Sequence, residues 1–417
     1  MRIKYSIFFF SIMLLFLAFD LRAMEGDSKV FIILRAILSL LFGFFALRKI
    51  KFNSNCSNLI MMTIIFSVHI FLVGLIRGQD TFQLFSLTMP YIFFFLGLVI
   101  VSSSLRDIIN LDNLINIVLI FAIISVIYRV SFILIYSGVS LENARYSIIS
   151  PALILLFSYA VTSLLFGYRK NWFIPFAISF FITLLSVTRT YLLVYLSIFI
   201  FAIFVLRFRS VQKNIGLPAT LASVSVIFLF GSLSIASSFL DIWSNRLAFN
   251  DGGVLSDPTF LTRVAEMTFQ IRILLESNIN MIFGMGAAAE TRFASEFYDL
   301  LSLVFSQNYE YVGAGVGHNN FVGLIYTGGF IMGSLFIFFQ LTTMWKSFLY
   351  LRFKFKDISQ KRSEHFIALW GAFSTIGFFC YGMFGGTFGD RLASLSFGVA
   401  FGLMFLGIFK LQNIKKL

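Results

Sequence analysis

The run Gly317-His318-Asn319-Asn320-Phe321 closes the only long polar segment of the chain, and an apolar stretch begins at once behind it. An imidazole titrates near neutrality and can take a proton from a hydroxyl. The neighbouring amides, Asn319 first, can orient an imidazole or a sugar hydroxyl. Helix packing alone gives no reason to set a histidine and two amides where an apolar helix meets water. His318 is therefore the first candidate for catalysis. Arginines form the second set: Arg189 in Val187-Thr188-Arg189-Thr190, Arg263 and Arg292 in the polar segment, Arg145 in Asn143-Ala144-Arg145-Tyr146, and Arg391 in Gly389-Asp390-Arg391. A guanidinium never deprotonates and matches phosphate bidentately, so several converging on one cavity would trap a diphosphate. Taken singly, each is equally an arginine that snorkels to lipid headgroups or pairs with an acid, as Arg391 could with Asp390.

The elements that must position these residues are membrane helices. The chain has 417 residues, 59% hydrophobic and only 12% charged, with 57 phenylalanines, and its mean hydropathy is +0.92. A soluble domain carries about 25% charged residues. In lipid every backbone polar group must be satisfied internally, which leaves helices or a closed barrel. The apolar runs are near bilayer length and do not alternate, so an all-α integral membrane protein is expected. About twelve spans are predicted, near 5–19, 30–47, 59–76, 82–101 (interrupted by Pro90), 114–137, 147–166, 172–187, 190–206, 217–239, 320–345, 366–384 and 392–409. The seventh and eighth form a hairpin about the Thr188-Arg189-Thr190 turn. The division is then 1–239 with nine spans, one large extracytoplasmic loop over 240–319, and 320–417 with three spans and a basic tail.

Charge orients the bundle. Arg48, Lys49 and Lys51, then Arg169 and Lys170, then Arg207, Arg209 and Lys213, then the cluster Lys346–Arg362, and finally Lys410, Lys415 and Lys416 all fall on the side of Arg2 and Lys4. The positive-inside rule makes that side cytoplasmic, with both termini inside. The formal charge of +13 thus reflects topology and anionic lipid and does not call for a nucleic-acid partner. Leu21-Arg22-Ala23 loosely fits a signal-peptide cleavage site, but the first run is read as a retained span. Cys56 and Cys380 suggest no disulfide, and no Cys/His spacing suggests a metal.

The outer segment 240–317 carries nine acids (Asp241, Asp251, Asp257, Glu266, Glu276, Glu290, Glu296, Asp299, Glu310) against four arginines (Arg246, Arg263, Arg272, Arg292). Asp257-Pro258 fits a helix start. Phe260, Val264, Met267, Ile271 and Leu275 then recur at helical spacing, with Arg263 and Arg272 on opposite edges of the stripe. This helix either rests on the membrane surface or presents an arginine to a lipid-linked pyrophosphate. Gly284-Met285-Gly286-Ala287-Ala288-Ala289 allows close backbone approach or a tight turn, and it is neither a Walker loop nor a dinucleotide fingerprint. His69, inside a span, reads as a hydrogen-bonded bundle residue, and His365 as solvated. Arg129 lies near the outer end of its span and could join an outward cavity; Arg35 has no role to argue.

Ser186-Val187-Thr188-Arg189 after a span, Leu261-Thr262-Arg263 opening an amphipathic helix, Phe283-Gly284-Met285-Gly286, and Gly317-His318-Asn319-Asn320-Phe321 with Gly328-Gly329 behind it occur in this order around one large external loop. The chain resembles the O-antigen polymerase and O-antigen ligase superfamily in these motifs and in its architecture, a GT-C-like one. The resemblance implies an inverting glycosyltransferase, free of metal, cofactor and nucleotide sugar, at the outer face of the bacterial inner membrane. The donor would be an undecaprenyl-diphosphate-linked oligosaccharide. A polymerase moves the glycan to the non-reducing end of a lipid-linked repeat unit, which is the favoured reading, and a ligase moves it to lipid A-core. By the same resemblance Arg189 and Arg263 hold the diphosphate and stabilise the leaving group, and His318 takes or orients the acceptor proton. Arg145, Arg292, Asn319 and Arg391 are secondary substrate contacts, and Glu266 or Glu290 is the alternative base. A chain-length regulator, a flippase and membrane lipid are the implied partners. A lipid-linked glycan transporter, disfavoured because no internal repeat is visible, and a non-catalytic membrane assembly factor are the remaining classes.

Overall fold

The computed structural model describes residues 54–103, 110–136, 148–166, 171–186, 188–206, 258–305, 312–354 and 363–414, together with Ser11, Leu14, Leu34, Ile37, Leu38 and Leu41 at isolated helical positions. The expected spans near 5–19, 30–47 and 217–239, the segment 240–257, Arg35 and the candidate Arg145 lie wholly or largely outside them. Each remaining apolar run is a helix. These are α1 Ser54–Ile76, α2 Thr81–Ser103, α3 Leu111–Tyr136, α4 Ala152–Phe166, α5 Phe173–Ser186 and α6 Arg189–Leu206. In the outer segment stand α7 Pro258–Leu275, α8 Asn278–Phe283 and α9 Tyr298–Phe305, followed by α10 Asn320–Lys354, α11 Ser363–Phe384 and α12 Arg391–Ile414. Among the described residues six helices are long and apolar enough to cross a membrane, and α4, α5 and α6 are shorter apolar helices. The architecture is that of a helical membrane protein.

Pro90 does not interrupt its span. Helix α2 runs through it without a break. A proline removes one i→i−4 bond, which a membrane helix tolerates where packed neighbours hold it.

Helix α12 is the axis of the bundle, 94% buried over its apolar window. It packs against α2 and α11 through glycines. A Cβ on Gly97 would lie 2.8 Å from the Val399 backbone nitrogen, one on Gly398 2.9 Å from the Leu98 nitrogen, and one on Gly371 2.7 Å from the Ala400 carbonyl. With no hydrophobic drive between helices in lipid, this close approach supplies the van der Waals contact that joins them. An aromatic cluster fills the end of the bundle where α12 begins. Tyr91 stacks on Phe388 at 4.7 Å, Phe66 on Phe336 at 4.6 Å, and Phe94 meets both Phe388 and Phe397. Phe388 belongs to the short 3-10 turn Thr387–Gly389 that leads into α12, so this cluster pins the turn ahead of Arg391.

Helix α10 is broken at Gly329, whose φ of 76° and ψ of 170° are non-helical. The break releases carbonyls that the glycine-rich loop then uses. Met285 N–H donates to Tyr326 O at 2.9 Å, Gly286 N–H to Thr327 O at 2.9 Å and Ala287 N–H to Ile70 O at 3.1 Å. Gln79 closes the clamp from the other side, accepting from Ala288 N–H at 3.0 Å and donating to Met285 O at 2.7 Å. His69 Nε2 lies 3.0 Å from Phe283 O and 3.1 Å from Gly328 O; both partners only accept, so Nε2 carries the proton. His69 is thus the hydrogen-bonded bundle residue its span position suggested. From Gly328 back to the start of α10 is about 12 Å of helix at 1.5 Å per residue, so the loop is seated that far along α10 from its first turn. Irregular backbone packed among helices needs partners inside the protein, and each backbone N–H from Gly284 to Ala289 has one.

Two short strands complete the outer segment. β1 Glu290–Arg292 pairs antiparallel with β2 Val312–Ala314, with Glu290 opposite Ala314, Thr291 opposite Gly313 and Arg292 opposite Val312. Thr291 points inward and its neighbours outward.

Candidate functional site

Helix α7 has two working faces. Leu261 and Ala265 are buried against Phe293 and Leu301 in a small satellite core, and Leu274 packs with Ala289 and Tyr326. The stripe read from the sequence points the other way, with Phe260, Ile271 and Leu275 exposed beside Ile279, Ile282 and Phe283 of α8. An apolar surface continuous over two helices fits a helix resting on lipid. A groove of about 520 Å³ lined by Thr268, Ile271, Arg272, Leu275 and Glu276 runs along this outer face, away from His318. Arg272 is ion-paired with Glu296 there, and its hydrogen bond holds the Glu296 carboxyl below the usual carboxylate range.

The inward edge of α7 carries the polar residues. Arg263, Glu266 and Gln270 are spaced three and four apart and so share one side of the helix. Glu266 and Gln270 are buried. Gln270 donates to Val316 O at 3.3 Å and to Thr291 Oγ1 at 3.4 Å, and Thr291 donates to Gly315 O at 3.2 Å. These bonds and the β1–β2 register lay Gly315–His318 along α7. Glu266 then receives His318 twice on one oxygen: Oε2 accepts the backbone N–H at 2.9 Å and lies 2.8 Å from the ring Nδ1. The carboxylate is 1% exposed and the histidine side chain 52% exposed. Glu266 Oε1 is buried under Gly317 and, among the described residues, has no hydrogen-bond donor.

The two asparagines do structural work, which departs from the reading that helix packing has no use for them. Asn319 Oδ1 accepts from Phe321 N–H at 3.0 Å and Val322 N–H at 3.1 Å, an N-cap for α10. Its Nδ2 donates to Met383 O at 3.2 Å. Asn320 is buried and accepts from Phe388 N–H at 3.2 Å. The pair therefore welds the start of α10 to the turn before α12, and a Cβ on Gly386 would lie 2.5 Å from Gly317 O.

That weld brings the Asp390–Arg391 corner beside the histidine segment. Asp390 Oδ1 caps α12 through Ala393 N–H at 2.9 Å, and its Oδ2 is 3.9 Å from Arg129 of α3. Arg391 donates to Ser86 of α2 at 3.1 Å. Arg129 of α3 thus lies against the corner that leads into α12. Arg189 opens α6, and Tyr191, in the same first turn, packs 5.5 Å from Tyr381 near the end of α11. Arg129 and Arg391 thus share the corner ahead of and at the start of α12, while Arg189 lies in the first turn of α6, which packs against the end of α11 through Tyr191. Arg263 is half-buried, on the Glu266 side of α7. Arg292 sits apart, exposed on β1 and ion-paired with Glu290 at 2.7 Å. Glu266 is the residue that sequence reasoning placed only as an alternative base; its spacing of three from Arg263 was the available signal, while its contact with His318 spans 52 residues and leaves no local pattern.

Chemically, the arrangement offers an exposed imidazole oriented by a buried carboxylate, with guanidinium groups at the same end of the bundle. Among the described residues no group of three or more His, Cys, Asp or Glu side chains could hold a metal ion. Compared with known proteins, the chain matches no family model and no curated protein.

Proposed function

We propose that this chain is a membrane glycosyltransferase of the O-antigen polymerase kind, moving a glycan from undecaprenyl diphosphate to a hydroxyl at the non-reducing end of another lipid-linked repeat unit, at the outer face of the bacterial inner membrane. The observation that carries the reading is the imidazole of His318, held through Nδ1 by Glu266 at 2.8 Å, beside the corner where Arg129 reaches Asp390 and Arg391 opens α12. The resemblance in ordered motifs supports it independently of the geometry.

The reaction needs two things of the protein. The bond between the anomeric carbon and the phosphate oxygen breaks, and its electron pair leaves with the undecaprenyl diphosphate. Guanidinium groups stabilise that charge, a role for Arg189 and Arg263. The acceptor oxygen attacks the anomeric carbon from the opposite side, which inverts it, and loses its proton to His318. By the same motif resemblance, Arg391 and Arg145 would be further diphosphate or sugar contacts.

The test is the surface-polysaccharide ladder of a strain lacking the chain, together with transfer by the purified protein between defined undecaprenyl-diphosphate oligosaccharides. A single repeat unit on the core, and elongation of lipid-linked acceptor in vitro, are expected. Free core with lipid-linked polymer accumulating would make it a ligase; an unchanged ladder and no transfer to either acceptor would refute glycosyl transfer.

A further inference from the structure

Glu266 is poorly placed to act as a base itself. Its carboxylate is 1% exposed, one oxygen lies under Gly317, and the other is occupied by two donors of His318. Burying a carboxylate is costly unless it is paired and hydrogen-bonded, so its position calls for a reason beyond packing. We propose that Glu266 is a positioning residue that fixes His318 as the Nδ1–H tautomer, puts the ring lone pair on Nε2 for the acceptor proton, and stabilises the imidazolium once that proton arrives. This rests on the reading of His318 as the base and extends it to a buried partner on another element.

The geometry selects the tautomer. Oε2 already accepts the backbone N–H of His318 at 2.9 Å, so an acceptor must sit at that point. The ring nitrogen beside it, at 2.8 Å, is then the one that donates. An ionised carboxylate can only accept, and the neutral ring carries one proton, so Nε2 is left as the acceptor. When Nε2 takes a proton, the positive ring faces a fixed negative charge that is itself buried, so the attraction is stronger than between two groups in water. The charged groups on the elements around the histidine segment are Arg263 and Glu266 of α7, Glu290 and Arg292 of β1, Asp390 and Arg391 at the start of α12, and Arg129 of α3 against Asp390.

Glu266→Gln keeps an oxygen where both N–H groups need one but removes the charge, and Glu266→Leu removes both. Turnover is expected to fall from wild type to Gln to Leu, by about 10²–10⁴-fold for Leu, with KM for the lipid-linked donor nearly unchanged. The double variant Glu266→Leu with His318→Ala should be no slower than His318→Ala alone, because residues acting through one another do not add. Nitrogen-15 spectra of histidine-labelled protein in detergent, with His318 assigned by its loss in His318→Ala, should show Nδ1 protonated in wild type and in Glu266→Gln. A ring protonated on Nε2 in wild type, losses that multiply in the double variant, or a fully active Glu266→Gln protein would each overturn the proposal. The spectra do not depend on turnover: wild-type protein with the Nδ1–H ring but no transfer to any lipid-linked acceptor would refute the glycosyltransferase reading and leave the tautomer assignment standing.

Discussion

Gly317 lies directly over Glu266: a Cβ at this position would stand 2.6 Å from Oε1 and 2.9 Å from Gln270 Nε2. The residue also has a φ of +73°, in the left-handed region that costs a side chain about 1–2 kcal/mol. Gly317→Ala should therefore lower stability by roughly 1–2 kcal/mol from the backbone alone and push the carboxylate off the imidazole. The thermal midpoint in detergent and the transfer rate should fall together. An alanine variant with wild-type turnover would mean that the Glu266–His318 contact is not needed for the reaction.

The seating of the glycine-rich loop in the broken helix has its own signature. A Cβ on Gly284, at φ +78°, would lie 2.5 Å from Thr327 O, and one on Gly329, at φ +76°, 2.7 Å from Gly284 N. Backbone cannot swing aside as a side chain can. Gly284→Ala is expected to cost about 2–5 kcal/mol, combining left-handed strain with overpacking, and to reduce folded protein in the membrane. Gly78, at φ +72° with nothing within 4 Å of its Cβ position, is the control, with only the strain of about 1–2 kcal/mol. Equal melting temperatures for the two variants would argue against the tight seating.

Arg263 and Arg272 stand on one helix and should behave differently. Arg272→Ala removes an exposed pair with Glu296 on the outer face, and transfer should be unaffected. Glu296 titrates below its usual range. Whatever the pair adds is present above the unfolded pKa of the carboxyl and is lost as pH falls through the lowered folded value. It should also weaken with salt. Arg263→Ala and Arg189→Ala should abolish transfer with normal protein levels, and lysine should rescue poorly where bidentate geometry matters. Normal ladders from both alanine variants would return them to the role of snorkelling arginines.

Sidedness follows from the basic loops. Alkaline phosphatase fused after Asp299 should be active and fused after Lys356 inactive, because the first point lies in the acidic segment and the second in the basic one. The reverse pattern would remove a reaction at the outer face from consideration.

By itself, the sequence determined the class, the helices and the candidate atoms. Apolar runs of bilayer length can only be helices in lipid, so α1 to α6 and α10 to α12 could be read from their composition, and the rarity of polar residues picked out His318, Arg189 and Arg391. Pro90 misled the reading because local propensity is overridden where neighbours hold the helix. Asn319 and Asn320 were legible as polar but not as an N-cap and a tie to Phe388, since both jobs depend on where α10 starts and what lies against it. Only the tertiary structure decided that Glu266 and His318 share a hydrogen bond, that Gly284 and Gly329 meet backbone to backbone, that Arg272 turns outward to Glu296, and that Arg129 reaches Asp390. Each of these joins residues far apart in the chain. Burial and the pairing of buried polar groups set such contacts, and neither leaves a periodic trace in sequence.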